Sequence, residues 1–361
     1  MGCAVSCVMV VAGGTGGHVF PGLAVAEYLR SQGIGVVWMG TRMGLEARAV
    51  AAAGFDIEWV SIQGLRARGA TSWFLLPIRL LVAGVQSLRI MLRRRPDVVL
   101  AMGGFVAGPG GLIAWILRKP LLIHEQNAIP GLTNRWLAWL ADQVLCGFPG
   151  AFHSVPVARH VGNPVRREIA TLPPPQTSNQ HTGPLCLLVL GGSQGARIFN
   201  EVVPQALRLL DGELVPEVWH QCGRRWNEST RVAYEGVPGA PRITPFIDDM
   251  ASAYRWADLI ICRAGAMTIA ELSVAGCAAI LVPYPFAVDD HQTANAKFLE
   301  EREAAVLVPQ EQFNASRVRE LLAQLGAHRE LLARMSQNAR RCAMPDAAET
   351  LGQLCMEAIH A

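Results

Sequence analysis

Twice in this chain a short apolar run breaks directly into a cluster of glycines. Residues 8–12 enter Gly13-Gly14-Thr15-Gly16-Gly17, and residues 187–190 enter Gly191-Gly192-Ser193-Gln194-Gly195. A segment with helical patterning follows each cluster. A strand buried on both faces reads as an unbroken apolar run, and glycines let the backbone turn sharply from it into a covering helix. A third run, 259–262, passes through Arg263-Ala264-Gly265 into another helical segment. The arrangement points to parallel sheets with helical crossovers and excludes all-β and all-helical folds.

Apolar runs at 36–39, 57–61, 98–102, 121–124 and 144–146 continue the alternation through the first half, and runs at 218–221 and 278–282 through the second. A chain of 361 residues exceeds one ordinary core. We therefore expect an α/β protein of two Rossmann-like domains, 1–162 and 163–346, with a last helix near 347–361 packing back on the first. Residues 172–184, with Pro173, Pro174, Pro175 and Gly183, read as an exposed loop or linker. Ligands of such sheets bind at the carboxyl ends of the strands.

Charge is unevenly shared. Residues 1–162 carry 14 basic and 7 acidic groups, net +7, whereas 163–361 carry 18 and 22, net −4, which together give the chain's +3. Only the first half is suited to an anionic surface. Nothing in the pattern suggests nucleic acid. Nine scattered cysteines without a C-x-x-C pair argue against a zinc site and for a reducing compartment. No stretch is apolar for long enough to span a bilayer, and residues 1–12 read as a first strand rather than a signal peptide.

Backbone amides at a glycine turn that opens a helix attract anions. A tight Rossmann turn would account for any one of these loops, but three together favour a phosphate-bearing ligand. A dinucleotide fits poorly: Gly14-Thr15-Gly16-Gly17-His18-Val19 lacks the third glycine of G-x-G-x-x-G, and residues 38–41 end their strand without an acid for a ribose. No Gly-Lys-Ser/Thr P-loop occurs, and no D-x-D pair offers a site for a metal bridging a diphosphate. Glu271, one to two turns into the helix after Gly265, can hold a ribose diol or simply favour the helix dipole. His18 can move a proton or cap its helix. Four polar residues, His124-Glu125-Gln126-Asn127, close an otherwise apolar strand, an unlikely composition for a core.

These motifs, with Gly191 to Arg197, Phe246-Ile247-Asp248-Asp249-Met250 and Arg263 to Glu271, stand in an order that closely resembles the MurG family. Its members belong to family GT28 of the glycosyltransferases. The resemblance covers nearly the whole chain. It implies the GT-B fold, two Rossmann-like domains with an interdomain cleft, and inverting transfer of N-acetylglucosamine from UDP-GlcNAc to the 4-hydroxyl of MurNAc in undecaprenyl-pyrophosphoryl-MurNAc-pentapeptide (lipid I to lipid II), with no metal or other cofactor. It places Thr15, Gly16, Gly17 and Asn127 on the donor sugar and phosphates, and Arg166 and Ser193 on the diphosphate. The Ile247 backbone would read uracil. Ala266, Met267, Thr268, Ile269, Ala270 and Glu271 would hold the nucleotide, with Glu271 on the ribose, and Gln292 would bind the sugar hydroxyls. His18, Glu125 and Asn134 fall on the acceptor side, with His18 or Glu125 as catalytic base. Here the family's usual Gln-Gln pair is His291-Gln292, and residues 284–290 are unlike the pattern.

A lipid acceptor requires a membrane-facing surface. Trp73, Phe74, Leu75, Leu76, Ile78, Leu80 and Leu81 are framed by Arg66, Arg68, Arg79, Arg89 and Arg93-Arg94-Arg95. Trp115 with Arg118 and Lys119, and Trp136 and Trp139 with Arg135, add to the set. Apolar side chains among basic ones suit an anionic bilayer, at the cytoplasmic face of the inner membrane in this family. A core helix with solvated arginines would read the same way. The resemblance further implies roles in cell-wall synthesis, cell shape and division, with division proteins as possible partners. Another UDP-sugar transferase with a lipid acceptor and a UDP-GlcNAc 2-epimerase are the alternative activities.

Overall fold

The computed structural model describes residues 6–62, 76–153, 155–174 and 183–360. The chain divides into two compact units, 1–166 with 345–361, and 167–344. The division falls four residues beyond the expected position, so Arg166 stays with the first unit.

The first unit is a parallel sheet ordered β3-β2-β1-β4-β5-β6-β7. Its central strands are β1 (Cys7–Ala12), β4 (Val98–Gly103) and β5 (Leu121–Glu125), flanked by β2 (Gly35–Gly40), β3 (Asp56–Trp59), β6 (Gln143–Cys146) and β7 (Ala158–His160). The central strands are buried along nearly their whole length, as their unbroken apolar runs require. Order reverses between β1 and β4, so the loops after these two strands diverge and leave a crevice at their carboxyl ends. One face of the sheet is covered by α1 (Gly16–Ser31) and by the last helix, α14 (Ala347–His360); Leu351, Leu354 and Cys355 join the core formed by Val10, Trp38 and Leu100. The sheet's other face packs on α3 (Leu76–Arg94), α4 (Ala107–Ile116) and α5 (Leu132–Leu137).

The second unit repeats the plan with a sheet ordered β10-β9-β8-β11-β12-β13. Here β8 (Cys186–Leu190) and β11 (Leu259–Cys262) flank the reversal, followed by α7 (Arg197–Leu207) and α10 (Ala266–Ala275). The outer strands are β9 (Glu217–Gln221), β10 (Arg242–Thr244), β12 (Ala278–Leu281) and β13 (Ala305–Leu307). Among the described residues no helix is long and apolar enough to cross a membrane.

Candidate active site

In the first unit the loops after β1, β2, β4 and β5 converge. The first glycine loop is held from within by Glu46, the opening residue of α2 (Glu46–Ala52), whose side chain is wholly buried. Its carboxylate accepts from Gly14 N at 2.9 Å, Thr41 N at 2.8 Å and Thr41 Oγ1 at 2.6 Å. A Cβ on Gly13 would stand 2.6 Å from Glu46 Oε1, and one on Gly40 2.8 Å from its Cγ. The acid missing from the end of β2 in the sequence is therefore present a few residues later, turned inward to fix the loop.

His18 lies in the first turn of α1. Its Nδ1 is 3.1 Å from Met102 O and 3.0 Å from Gln126 Oε1. Gly103, at φ +101°, passes so close that a Cβ would stand 2.9 Å from that nitrogen. Gln126 Nε2 donates to Met102 O at 2.8 Å and lies 3.2 Å from His124 Nδ1, while His124 Nε2 is 2.9 Å from Gly162 O. Burial of His124 pushes its pKa down to about 4, so the ring is neutral.

Glu125, the other candidate base, is engaged by the turn that follows its own strand. Its Oε1 accepts from Asn127 N at 3.0 Å and Asn127 Nδ2 at 3.1 Å, and its Oε2 from Gly131 N at 3.0 Å and Asn134 Nδ2 at 2.9 Å. The residue is 1% exposed. A carboxylate has about four acceptor sites, and here all four are occupied by the protein's own donors. Glu125 organises the turn from β5 into α5. Asn134, expected on the acceptor side, is buried against it and also donates to His124 O at 3.1 Å. Thr15 is exposed, and Gly16 and Gly17 are half-buried at the start of α1.

In the second unit, Gly195 (φ +75°) and Gly223 (φ +87°) lie back to back, and a Cβ on Gly223 would meet Gly195 N and Cα at 2.5 Å. This contact shapes the loop that carries the exposed Ser193. Ala266 to Glu271 form the first turns of α10, with Ala266 and Ile269 buried and Met267, Thr268, Ala270 and Glu271 half-buried. Glu271 Oε2 accepts from Tyr254 Oη at 2.8 Å. Tyr254 is buried, and its pKa rises well above the ordinary value through desolvation and the nearby Glu271 charge. Asn295 supports the turn before α10 by donating to Ala264 O at 3.2 Å. Arg263, at the end of β11, donates to Val282 O, Pro283 O and Gln310 Oε1, and its guanidinium lies 5.0 Å from the Phe199 ring centre. No carboxylate pairs with it among the described residues. Ile247 is buried. Gln292 Oε1 accepts from Tyr284 N at 2.9 Å, so the divergent 284–290 segment is tied to it directly.

The fold thus brings Thr15, Gly16, Gly17, His18, Glu125, Asn127 and Asn134 together in the first unit. Ser193, Ile247, Ala266 to Glu271 and Gln292 lie at the corresponding strand ends of the second. Arg166 is half-buried at the boundary. Sequence reasoning missed Glu46, Gln126 as an individual residue, and Tyr254. The clue to Glu46 was its position among Gly40, Gly44 and Gly13, which leave a carboxylate room.

Comparison with known proteins agrees with this fold. Residues 8–146 match the glycosyltransferase family 28 N-terminal domain and residues 186–351 its C-terminal domain. The UDP-N-acetylglucosamine–N-acetylmuramyl-(pentapeptide) pyrophosphoryl-undecaprenol N-acetylglucosamine transferase of Nitrosococcus oceani is 54% identical over 97% of this chain and 98% of its own. Its namesake from Thiobacillus denitrificans is 53% identical over 98% and 99%. The crystal structure of Acinetobacter baumannii MurG superposes with a TM-score of 0.84 at 40% identity, covering 98% of this chain and 99% of that one. With its two parallel-sheet α/β units of the GT-B class, this chain belongs to glycosyltransferase family 28.

Proposed function

We propose that the chain transfers N-acetylglucosamine from UDP-GlcNAc to the 4-hydroxyl of MurNAc in undecaprenyl-pyrophosphoryl-MurNAc-pentapeptide, a step of peptidoglycan synthesis. The observation that carries this reading is identity above 50% with transferases of that name along almost the entire chain. Neither the epimerase nor another UDP-sugar transferase has such support.

The reaction needs a proton acceptor for the attacking hydroxyl and a stable home for the departing diphosphate. His18 takes the proton as the hydroxyl oxygen bonds to the anomeric carbon, whose bond to phosphate breaks with inversion. UDP leaves with the electron pair. Ser193, Arg166 and the amides opening α10 receive the diphosphate, Arg263 adds positive charge behind them, and Glu271 takes the ribose. The Ile247 backbone reads the uracil and Gln292 the sugar, while Thr15, Gly16, Gly17 and Asn127 complete the donor contacts. These groups take the place of a metal ion. An assay with UDP-GlcNAc and a lipid I analogue, run with and without chelator, tests both parts. No product refutes the transfer, and product lost only in chelator refutes the metal-free mechanism.

We further propose that the first unit rests on the cytoplasmic face of the membrane as a peripheral protein serving cell shape and division. Ile78 and Leu81 on α3 are 59% and 68% exposed, and Trp136 and Trp139 are 71% and 77% exposed. Trp115 and Leu132 are exposed nearby on α4 and α5, which pack in sequence beside α3. Arg118, Lys119 and Arg135 flank them. The basic frame is smaller than the sequence suggests, because Arg94 pairs with Glu58 and Asp56, and Arg93 with Glu58. Arg66, Arg68, Trp73, Phe74 and Leu75 lie outside the described residues. Flotation with anionic vesicles at low salt should carry the protein upward, and failure to float refutes the membrane reading.

A further inference from the structure

The hydrogen bonds around His18 fix which of its nitrogens bears the proton. Met102 O, 3.1 Å from Nδ1, can only accept. The same carbonyl orients Gln126: the amide nitrogen must face it, at 2.8 Å, so the amide oxygen is the atom 3.0 Å from His18 Nδ1. Two acceptors therefore meet one ring nitrogen. His18 Nδ1 carries the hydrogen and Nε2 the lone pair, and Nε2 makes no hydrogen bond among the described residues.

The pattern continues inward. Gly162 O, also only an acceptor, lies 2.9 Å from His124 Nε2, which must donate to it. His124 Nδ1 is then free to accept from the second hydrogen of the Gln126 amide at 3.2 Å. Asn163 Nδ2 donates to Gln126 O at 3.0 Å and fixes the main chain beneath. Gln126 is 1% exposed, His124 fully buried and Asn163 3% exposed, so water does not compete for these bonds. Two main-chain carbonyls thus set the direction of every hydrogen in the series.

We propose that Gln126 is a positioning residue for His18, holding it in the tautomer whose bare Nε2 faces the acceptor hydroxyl. This rests on the reading of His18 as base. The hydroxyl O–H bond breaks, its proton goes to Nε2, and the resulting imidazolium keeps its Nδ1 hydrogen on Gln126 and Met102. The partner is a neutral amide, so the ring is oriented without a formal negative charge to retain the proton, and it can be released when the product leaves.

The test uses the full chain. In Gln126→Met, kcat should fall at least about tenfold, with KM for both substrates within about twofold. In Gln126→Glu, the neutral acid can donate to Met102 O and accept from His18 Nδ1 as the amide does, so kcat should recover to within a few-fold of the unsubstituted protein. A purely structural role would scale activity with the folded fraction in both variants, with no such recovery of kcat. Nitrogen-15 spectroscopy of the unsubstituted protein needs no variant to fold, and should show His18 with hydrogen on Nδ1 only. A hydrogen on Nε2 only, or an unchanged kcat in folded Gln126→Met, overturns the proposal. His18→Ala separates the two ideas. Full turnover there overturns the base itself, whereas collapse beside a normal Gln126→Met protein overturns only the positioning role.

Discussion

The two units set glycine loops at the same edge of the same kind of sheet and then furnish those edges differently. In the first, Glu46, His124, Glu125, Gln126 and Asn134 are all buried, and their polar atoms are satisfied largely by one another and by the backbone. In the second, Ser193 is exposed, and Glu271 and Gln292 are half-buried beside Tyr254 and Tyr284. A buried polar network is rigid and costly to disturb. A half-open set keeps its polar capacity for a ligand. The contrast fits the proposed division of labour, with proton transfer at the first edge and nucleotide binding and release at the second.

Substitutions can break or sharpen that contrast. The largest effect is expected from His18→Ala, with turnover down by about 10²-fold or more and little change in the melting temperature; an equal loss of stability would mean that His18 is a structural residue. Glu125→Ala should come next in activity but lead in stability. It removes the acceptor of four donors, one of them on the buried Asn134, so unfolding free energy should drop by on the order of 2 kcal/mol in chemical denaturation, and a drop below about 1 kcal/mol would remove the rigid-edge reading. In the second unit, Ser193→Ala should raise the KM for UDP-GlcNAc several-fold while stability stays within about 0.5 kcal/mol. A fall in kcat alone would show that this edge takes part in chemistry after all.

The smallest effect is shared by both units. His124 and His220 are buried and neutral, and burial pushes their pKa values down to about 4 and about 3. Unfolded, each would take up a proton below about pH 6.5. The stability they confer is therefore complete above that pH. It is lost as pH falls, to about 4 for His124 and further to about 3 for His220. Melting temperatures should decline across this window, and a flat profile from 6.5 to 4 would contradict the burial of His124.

Much of this could be read in the sequence, because buried parallel strands announce themselves as apolar runs. The run 36–39 lies within Gly35–Gly40, and 259–262 is the strand Leu259–Cys262. The start of α1 was not legible. The cluster Gly13 to Gly17 reads as a turn that precedes a helix, whereas α1 already begins at Gly16 inside it, because Gly16, Gly17 and Pro21 are poor helix formers that tertiary packing overrides. The domain boundary was placed early because Asn163, apparently part of the connection, is pinned to Gln126 in the first unit. The roles of Gln126 and Glu125 were hidden for a related reason. The motif is local, but its task is set by partners distant in sequence, such as Met102, or by a turn only the fold defines.

The cradle around Glu46 also bears on how such a chain can change over generations. Its side chain fills the space that side chains at Gly13, Gly40 and Gly44 would need, through the carboxylate at Gly13 and Gly44 and through Cγ at Gly40, most tightly at Gly44. One acid thus dictates the residue at three positions spread over two loops. Replacing any one of those glycines first would collide with the acid, and replacing the acid first would strand the amides of Gly14 and Thr41. The four positions are thereby coupled through one side chain, so that a change at any of them is felt at the other three.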